Sequence, residues 1–487
     1  MTNPLSDQRP GQRPGQSPDR LLDALRAAVG GAEVVTGAAV AGHEFPWHTH
    51  ARCDARAIVY PRSTEEVARV LALCNRHRQP VVPFGGTTNL VQGCHTGPGD
   101  VVLALARMNA IEEVDAEART MTAQAGTTLL AAQEAAAAAG LYFPIDIGAR
   151  TNCMLGGIVS TNAGGTKVIR YGMTRDSVLG LEAVLADGTV LSSMNRYIKN
   201  NSGFDLKQLF IGSEGVLGVV TRVVFRLVAR PRSHNVALLA CEDFDAVTIA
   251  LNVAQRRLPG SLTGFEVMWN SFYARAVAPR GRLAAPLAPG KPLYVLVEAM
   301  GSDPRFDDAA FEEVLEFLVE EAVVLDGVMA KSDRERADIW AIREEVEPVI
   351  EASHNFDVSL RSADAGQYVR ALEAALAPVK DTEVVAFGHL GDNNVHVCVQ
   401  MQDRSPERVH AVEAVVYGEL EPFAGAISAE HGIGLEKRAW LPVSRTPAEI
   451  ELMRRLKATL DPNGILNPGK VVGEPGAAAG GTEGTAG

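Results

Sequence analysis

The sequence predicts an α+β fold in two parts, and three observations carry that prediction. Gly-rich loops follow short apolar strands across the first half of the chain. Helical runs at Asp307–Leu325 and Ser332–Ile350 precede strands around Val384 and Val395. A turn flanked by histidines, Gly388 to His396, sits late in the second part. The length of 487 residues allows about two to four domains. A hydrophobic content of 46% and a charged content of 22% are those of a globular protein. The net charge of −13 argues against non-specific binding to nucleic acid or anionic membrane.

The elements follow from local signals. Residues 1–18 are rich in Pro, Gln, Gly and Arg and lack an apolar core, so they read as a disordered tail and not a signal peptide. The Gly/Ala/Thr-rich end, 473–487, reads the same way. No stretch reaches the roughly 18 apolar residues of a membrane helix. Six scattered cysteines without a Cys-x-x-Cys pair argue against an iron–sulfur or cysteine–zinc site and fit a reducing cytoplasm. A first helix is expected over Asp19–Val29, between Pro18 and Gly30. Ser63 to Glu66 is a capping box that opens a helix to about His77. Pro80–Pro83 is a short strand, Ala135–Ala139 lies in a helix, and Ala284–Lys291 is a surface loop. His43, His48 and His50 read as an exposed loop, because no partner is spaced for a closed metal site.

Glycine marks a ligand cradle. Phe84-Gly85-Gly86-Thr87-Thr88-Asn89-Leu90-Val91-Gln92-Gly93 follows a strand and resembles a phosphate loop, since glycines let backbone N–H groups approach an anion. It is not a GxGxxG fingerprint. Three more segments follow: Pro144–Gly148 with Leu155–Gly165, the Asp187-Gly188 hairpin turn, and Phe210–Gly218. So much glycine suggests a long ligand lying against backbone, and a dinucleotide fits better than a small acid.

In the late hairpin, Val384–Leu390 and Val395–Gln400 read as strands around Gly391–Asn394. A symmetric turn would place His389 opposite His396. Glu430-His431 follows 34 positions after His396. Two imidazoles and the Glu430 carboxylate make a His/His/Glu set with an open fourth position, as in catalytic zinc sites. His431 would stand beside it as an acid/base. From spacing alone the same residues also read as polar positions in two ordinary turns.

Taken together, these segments resemble the flavoproteins of the vanillyl-alcohol-oxidase / para-cresol-methylhydroxylase (PCMH) superfamily. The branch most similar contains D-lactate dehydrogenase, the glycolate oxidase flavoprotein subunit and D-2-hydroxyglutarate dehydrogenase. The likeness runs from about Arg56 to Val472 and includes the ending Leu460–Lys470. It implies a PCMH-type FAD-binding domain of two α/β subdomains over 19–231. A substrate (cap) domain with an antiparallel sheet and helices is implied over 232–440, and a C-terminal segment, 441–472, returns to the flavin.

The resemblance assigns FAD to Pro83, Gly85, Gly86, Thr87, Thr88, Asn89, Leu90, Gly93, Pro144, Asp146, Gly156, Gly157, Ser160, Asn162, Gly164, Gly165, Gly212, Glu214, Gly215, Gly218, Val220 and Asn467. Relatives with covalent flavin carry a histidine where Thr88 stands, so a non-covalent FAD is expected. Phe84 replaces an arginine common at the start of that loop. His389, His396 and Glu430 match metal ligands, with Zn²⁺ first and Mn²⁺ or Fe²⁺ able to use the same donors. His431 matches the catalytic base and Arg343 the arginine that binds the substrate carboxylate.

The reaction implied is oxidation of a D-2-hydroxy acid by hydride transfer to flavin N5. The electron acceptor would be a quinone, a cytochrome or an electron-transfer flavoprotein, and the assembly could be a homodimer. Relatives specific for D-2-hydroxyglutarate carry Thr, Lys and Asn where this chain has Glu347, Asn355 and Cys398. A monocarboxylic, D-lactate-like acid is therefore favoured. Two other readings share the fold: a flavin-dependent transferase of the alkyl-dihydroxyacetone-phosphate synthase type, and a flavoprotein subunit of a glycolate oxidase complex.

Overall fold

Short valine-rich segments build the first sheet of the computed structural model, which describes residues 18–45, 52–278, 285–351 and 353–473. The strands Val34–Val35, Ala57–Val59, Val101–Ala104 and Val81–Phe84 lie side by side in that order. The last three pair in parallel, so a crossover must join Ala57–Val59 to Val81–Phe84. The helix Thr64–His77 supplies it and buries Val67, Val70, Leu71 and Cys74. Ser63 accepts the N–H of Glu66 at its start, and Arg78 ends it in the left-handed region.

The second sheet has five antiparallel strands, in the order Ile111–Asp115, Thr120–Gln124, Val219–Arg226, Val178–Val184, Val190–Ser193. The third has seven, also antiparallel: Asp326–Met329, Ser233–Cys241, Leu293–Gly301, Leu262–Trp269, Thr382–Gly388, Asn394–Met401 and Ser353–Ser359. One face of this sheet packs on the helices Phe244–Arg257, Pro304–Glu320, Ala365–Leu376 and Pro406–Gly418. The other carries Asn270–Ala276, Asp333–Glu344 and Glu347–Ile350.

Several boundaries differ from the sequence reading, each for a local reason. The expected helix over 307–325 spans Pro304–Glu320, because Asp303 caps it and Ala322 turns left-handed just beyond its end. The expected single helix over 332–350 is two, Asp333–Glu344 and Glu347–Ile350. Pro348 lacks an N–H and would clash with the carbonyl one turn earlier. His43 is half-buried and not exposed, with its ring 5.2 Å from Phe45 and 5.3 Å from Phe84. His48, His50, Ala284 and nearly all of both tail segments lie outside the described residues. No helix among the described residues is long and apolar enough to cross a membrane.

A buried ion pair ties the glycine-rich half to the large sheet. Lys167 donates to Oε2 of Glu298 at 2.5 Å, and Thr263 and Trp340 donate to the same carboxylate at 2.8 and 3.0 Å. Burial alone would raise the Glu298 pKa, but Lys167 and His234 bring it down to about 2. A folded-state pKa below that of the unfolded chain stabilises above the unfolded value and loses that stability as pH falls through the folded one. The contribution is about 3 kcal/mol at neutral pH. Urea unfolding followed from pH 5 down to pH 2 is therefore expected to lose stability more steeply in the wild type than in Glu298→Gln. Parallel slopes would contradict it.

Candidate active site

Alternation along the strands of the large sheet sets the site. Phe265, Val267, Val395, Val397, Phe356 and Val358 all point into one core. Glu266, His396, Cys398 and Asp357, one residue out of step with them, must face the other way. That face also carries the apolar Met268, Phe387, Ile339 and Ile342.

His396 pairs across the strands with Phe387 on one side and Asp357 on the other, and not with His389. The turn is longer than a symmetric one. Leu390–Asp392 forms a 3₁₀ turn, Asn393 is left-handed with φ 76°, and His389 lies just past the last paired residue. His389 thus reaches His396 diagonally, with ring centroids 5.3 Å apart at 81°.

Three donors converge. Nε2 of His389 and Nε2 of His396 each lie 3.7 Å from Oε1 of Glu430. Ligand atoms of a tetrahedral zinc site with bonds of about 2.0–2.1 Å lie about 3.4 Å apart, so these two separations are each within roughly 0.3 Å of such a site. Both rings have a carboxylate behind them, as metal-binding imidazoles commonly do. Glu266 Oε1 is 2.9 Å from Nδ1 of His389, and Asp357 Oδ1 is 3.7 Å from Nδ1 of His396. Burial disfavours a charged His389, but Glu266 outweighs it and lifts the pKa to about 9. Burial, with His389 alongside, holds His396 well below the ordinary range.

Asp357, His396, Glu430 and His431 form an overlapping set of donors, all within 4.8 Å of one another. Asp357 Oδ2 is already engaged by the backbone N–H groups of Ala429, Glu430 and His431, at 3.0, 2.9 and 2.9 Å. Its part is to hold the loop, and it lies 3.9 Å from Nδ1 of His431. Burial would raise this carboxyl, yet His431, Lys437 and His396 keep it far below the usual range. Arg343 is 5% exposed and donates from Nε to Glu266 Oε2 at 2.8 Å. Its Nη2 is buried without a partner, which suits an incoming carboxylate.

Next to these donors lies a cavity of about 300 Å³. Pro83, Gly85, Gly86, Thr87, Thr88, Asn89, Leu90, Gly93, Gly156, Gly157, Ser160, Glu214, Gly215, Gly218, Val220 and Asn467 line it, with Glu430 and His431 at its edge. The helix Leu155–Thr161 presents bare backbone here: a Cβ at Gly157 would meet nothing within 4 Å. At Gly86 a Cβ would stand 1.9 Å from the carbonyl oxygen of Asn152, so only glycine lets the loop close. Phe84, Leu105, Ile147, Ile158 and Val219 add apolar wall. Backbone amides beside apolar side chains fit a flat, phosphate-bearing dinucleotide.

The other expected contacts support the cradle without lining it. Asp146 and Gly165 form a bridge, and Asp146 also pairs with Arg150. Asn162 caps a helix in the left-handed region and accepts from Arg175 N–H. Gly212 donates to Val159, Gly164 packs on Glu430, and Pro144 is buried nearby. His95 is exposed and does not line the cavity, and burial pushes the Cys153 thiol up to about 12, away from the reactive thiolate. His389, His396, Arg343, Asn355 and Cys398 do not line the cavity.

Two families of known proteins match parts of the chain. Residues 55–193 match the family described as FAD binding domain, and residues 230–471 match the FAD linked oxidases, C-terminal domain. D-2-hydroxyglutarate dehydrogenase of Stutzerimonas stutzeri (strain A1501) is 35% identical over 460 residues, covering 93% of this chain and 98% of that protein. The chain belongs to the FAD-linked oxidases. The mitochondrial D-2-hydroxyglutarate dehydrogenase of Bos taurus is 37% identical to this FAD-linked oxidase over 454 residues, covering 93% of the chain and 83% of the relative.

Solved structures show the PCMH-type fold. p-Cresol methylhydroxylase with substrate bound gives a TM-score of 0.74 at 18% identity, over 94% of this oxidase and 97% of that chain. An alkyldihydroxyacetonephosphate synthase gives 0.72 at 18% identity, over 94% and 87%. Two residues at the heart of the site in this oxidase, Glu266 and Asp357, escaped the sequence reading. Each is a lone acid flanked on both sides by buried apolar residues, Phe265 and Val267 or Phe356 and Val358, which is the signal that could have found them.

Proposed function

We propose that this chain is an FAD- and metal-dependent dehydrogenase of D-2-hydroxy acids. Glu430 carries the reading: its Oε1 stands 3.7 Å from both imidazoles, while its Oε2 accepts the N–H of Gly165 at 2.8 Å on the flavin side. A metal held there is within reach of a substrate that also faces the flavin. When bound, FAD supplies the hydride acceptor, and Zn²⁺, or Mn²⁺ or Fe²⁺, supplies Lewis acidity. His389, His396 and Glu430 hold that ion. Arg343 takes the substrate carboxylate through Nη2. His431, steadied by Asp357, accepts the 2-hydroxyl proton. FAD is held non-covalently. A quinone, a cytochrome or an electron-transfer flavoprotein takes the electrons, and the six free thiols fit the cytoplasm.

The relatives' names point to D-2-hydroxyglutarate, but the tail side of the site here has other chemistry. Asn355 pairs across the strands with buried Cys398, one pleat beyond His396, and Glu347 is exposed at the start of Glu347–Ile350. None of the three is a cation for a second carboxylate, so a D-lactate-like monocarboxylate is the preferred substrate. Anaerobic titration with D- and L-2-hydroxy acids tests the reading. D-Acids should bleach the flavin band near about 450 nm and L-acids should not. Glu347→Thr with Asn355→Lys should shift the ratio of kcat/KM towards D-2-hydroxyglutarate by roughly 10- to 150-fold. A flavin that no 2-hydroxy acid bleaches would end the proposal. A wild type strongly favouring 2-hydroxyglutarate would end the monocarboxylate preference.

A further inference from the structure

Glu266 is 1% exposed, lies mid-strand in Leu262–Trp269, and touches both halves of the site. Its Oε1 is 2.9 Å from Nδ1 of His389, and its Oε2 accepts from Nε of Arg343 at 2.8 Å and lies 2.8 Å from the same imidazole nitrogen. One carboxylate thus stands behind both an expected metal ligand and the expected substrate arginine. It leaves Nε2 of His389 facing Glu430, and Nη2 of Arg343 buried without a partner. A buried carboxylate in an apolar strand is costly unless its partners repay it, and these two do.

We infer that Glu266 is a positioning residue whose single negative charge is shared between His389 and Arg343, so that metal affinity and carboxylate affinity are coupled through it. This rests on the proposed metal site. Charge shared with Arg343 is withdrawn from His389. Removing the arginine leaves Glu266 wholly to the imidazole and makes the donor set more negative. Removing the charge of Glu266 does the reverse and also frees both side chains to turn.

The test reads metal binding to the FAD-loaded protein by equilibrium dialysis against Zn²⁺, with no turnover. Glu266→Gln should bind Zn²⁺ roughly 10- to 100-fold more weakly. Arg343→Ala should bind it roughly 5-fold more tightly, while losing affinity for 2-hydroxy acids. Glu266→Asp keeps the charge and should recover part of what Gln loses. It also serves, with Arg343→Ala, should the Gln variant fail to fold.

Opposite signs in the two variants are the signature, since loss of packing alone would weaken both. Unchanged Zn²⁺ affinity in Glu266→Gln, or weakening in both, would overturn the inference. The control is His389→Ala. If the wild type binds no stoichiometric Zn²⁺, or His389→Ala binds it equally well, the metal site itself is wrong. If His389→Ala loses Zn²⁺ and Glu266→Gln does not, only the coupling falls.

Discussion

Stripping the metal with a chelator is expected to abolish reduction of the flavin by 2-hydroxy acids while FAD stays bound. The three donors come from the hairpin and the loop at Glu430, whereas the cradle is built from glycine segments far earlier in the chain. The hydrogen bond that joins Glu430 to the glycine segments, Gly165 N–H to Oε2 at 2.8 Å, needs no ion. His389→Ala and His396→Ala should behave like the stripped protein. If the ion supplies several kcal/mol to deprotonation of the hydroxyl, the loss is roughly 10²-fold or more. Activity should return on adding Zn²⁺ to the stripped wild type but not to either variant. Full activity in a sample shown to be metal-free would end the proposal.

The second large effect separates two neighbours. His431→Asn should keep metal and FAD and lose turnover roughly 10²–10⁴-fold, the usual worth of a general base. Glu430→Gln should lose metal. The backbone N–H groups of both residues are held by Asp357, so either substitution should leave the loop in place. Metal content by elemental analysis and single-turnover flavin bleaching give the two readouts. If both variants lose metal alike, His431 is a ligand and not the base.

What was legible in the chain was local. The glycine runs, the histidine hairpin and Glu430-His431 are short segments whose residue types announce their chemistry, and the capped helix Thr64–His77 needs only its own sequence. The hairpin register was not legible, because the 3₁₀ turn at Leu390–Asp392 adds length that the residues alone do not declare. Glu266 was missed because its meaning depends on His389, 123 positions away. Asp357 likewise acts on backbone more than 70 positions distant. Both carboxylates matter through packing, and packing is what a linear reading lacks. Asp146, Asn162 and Gly212 illustrate the converse: their motif was visible, but whether they touch the cavity or brace it depends on the fold.

The nucleotide cradle is finished by the far end of the chain. Val81 N–H donates to the carbonyl of Ile465 at 2.7 Å, and Asn467 N–H returns to Val81 at 2.8 Å. Asn467 Nδ2 donates to Glu214, and Lys470 donates to the carbonyl of His95 across 375 positions. During synthesis the first two sheets must therefore wait, one wall missing, until nearly the whole polypeptide has left the ribosome. Contacts of such long separation form late and slowly. The large sheet, whose strands all lie between these two ends, can fold in the interval. The flavin pocket is thus completed by the residues made last, and a chain truncated just short of Ile465 would have no complete seat for the nucleotide.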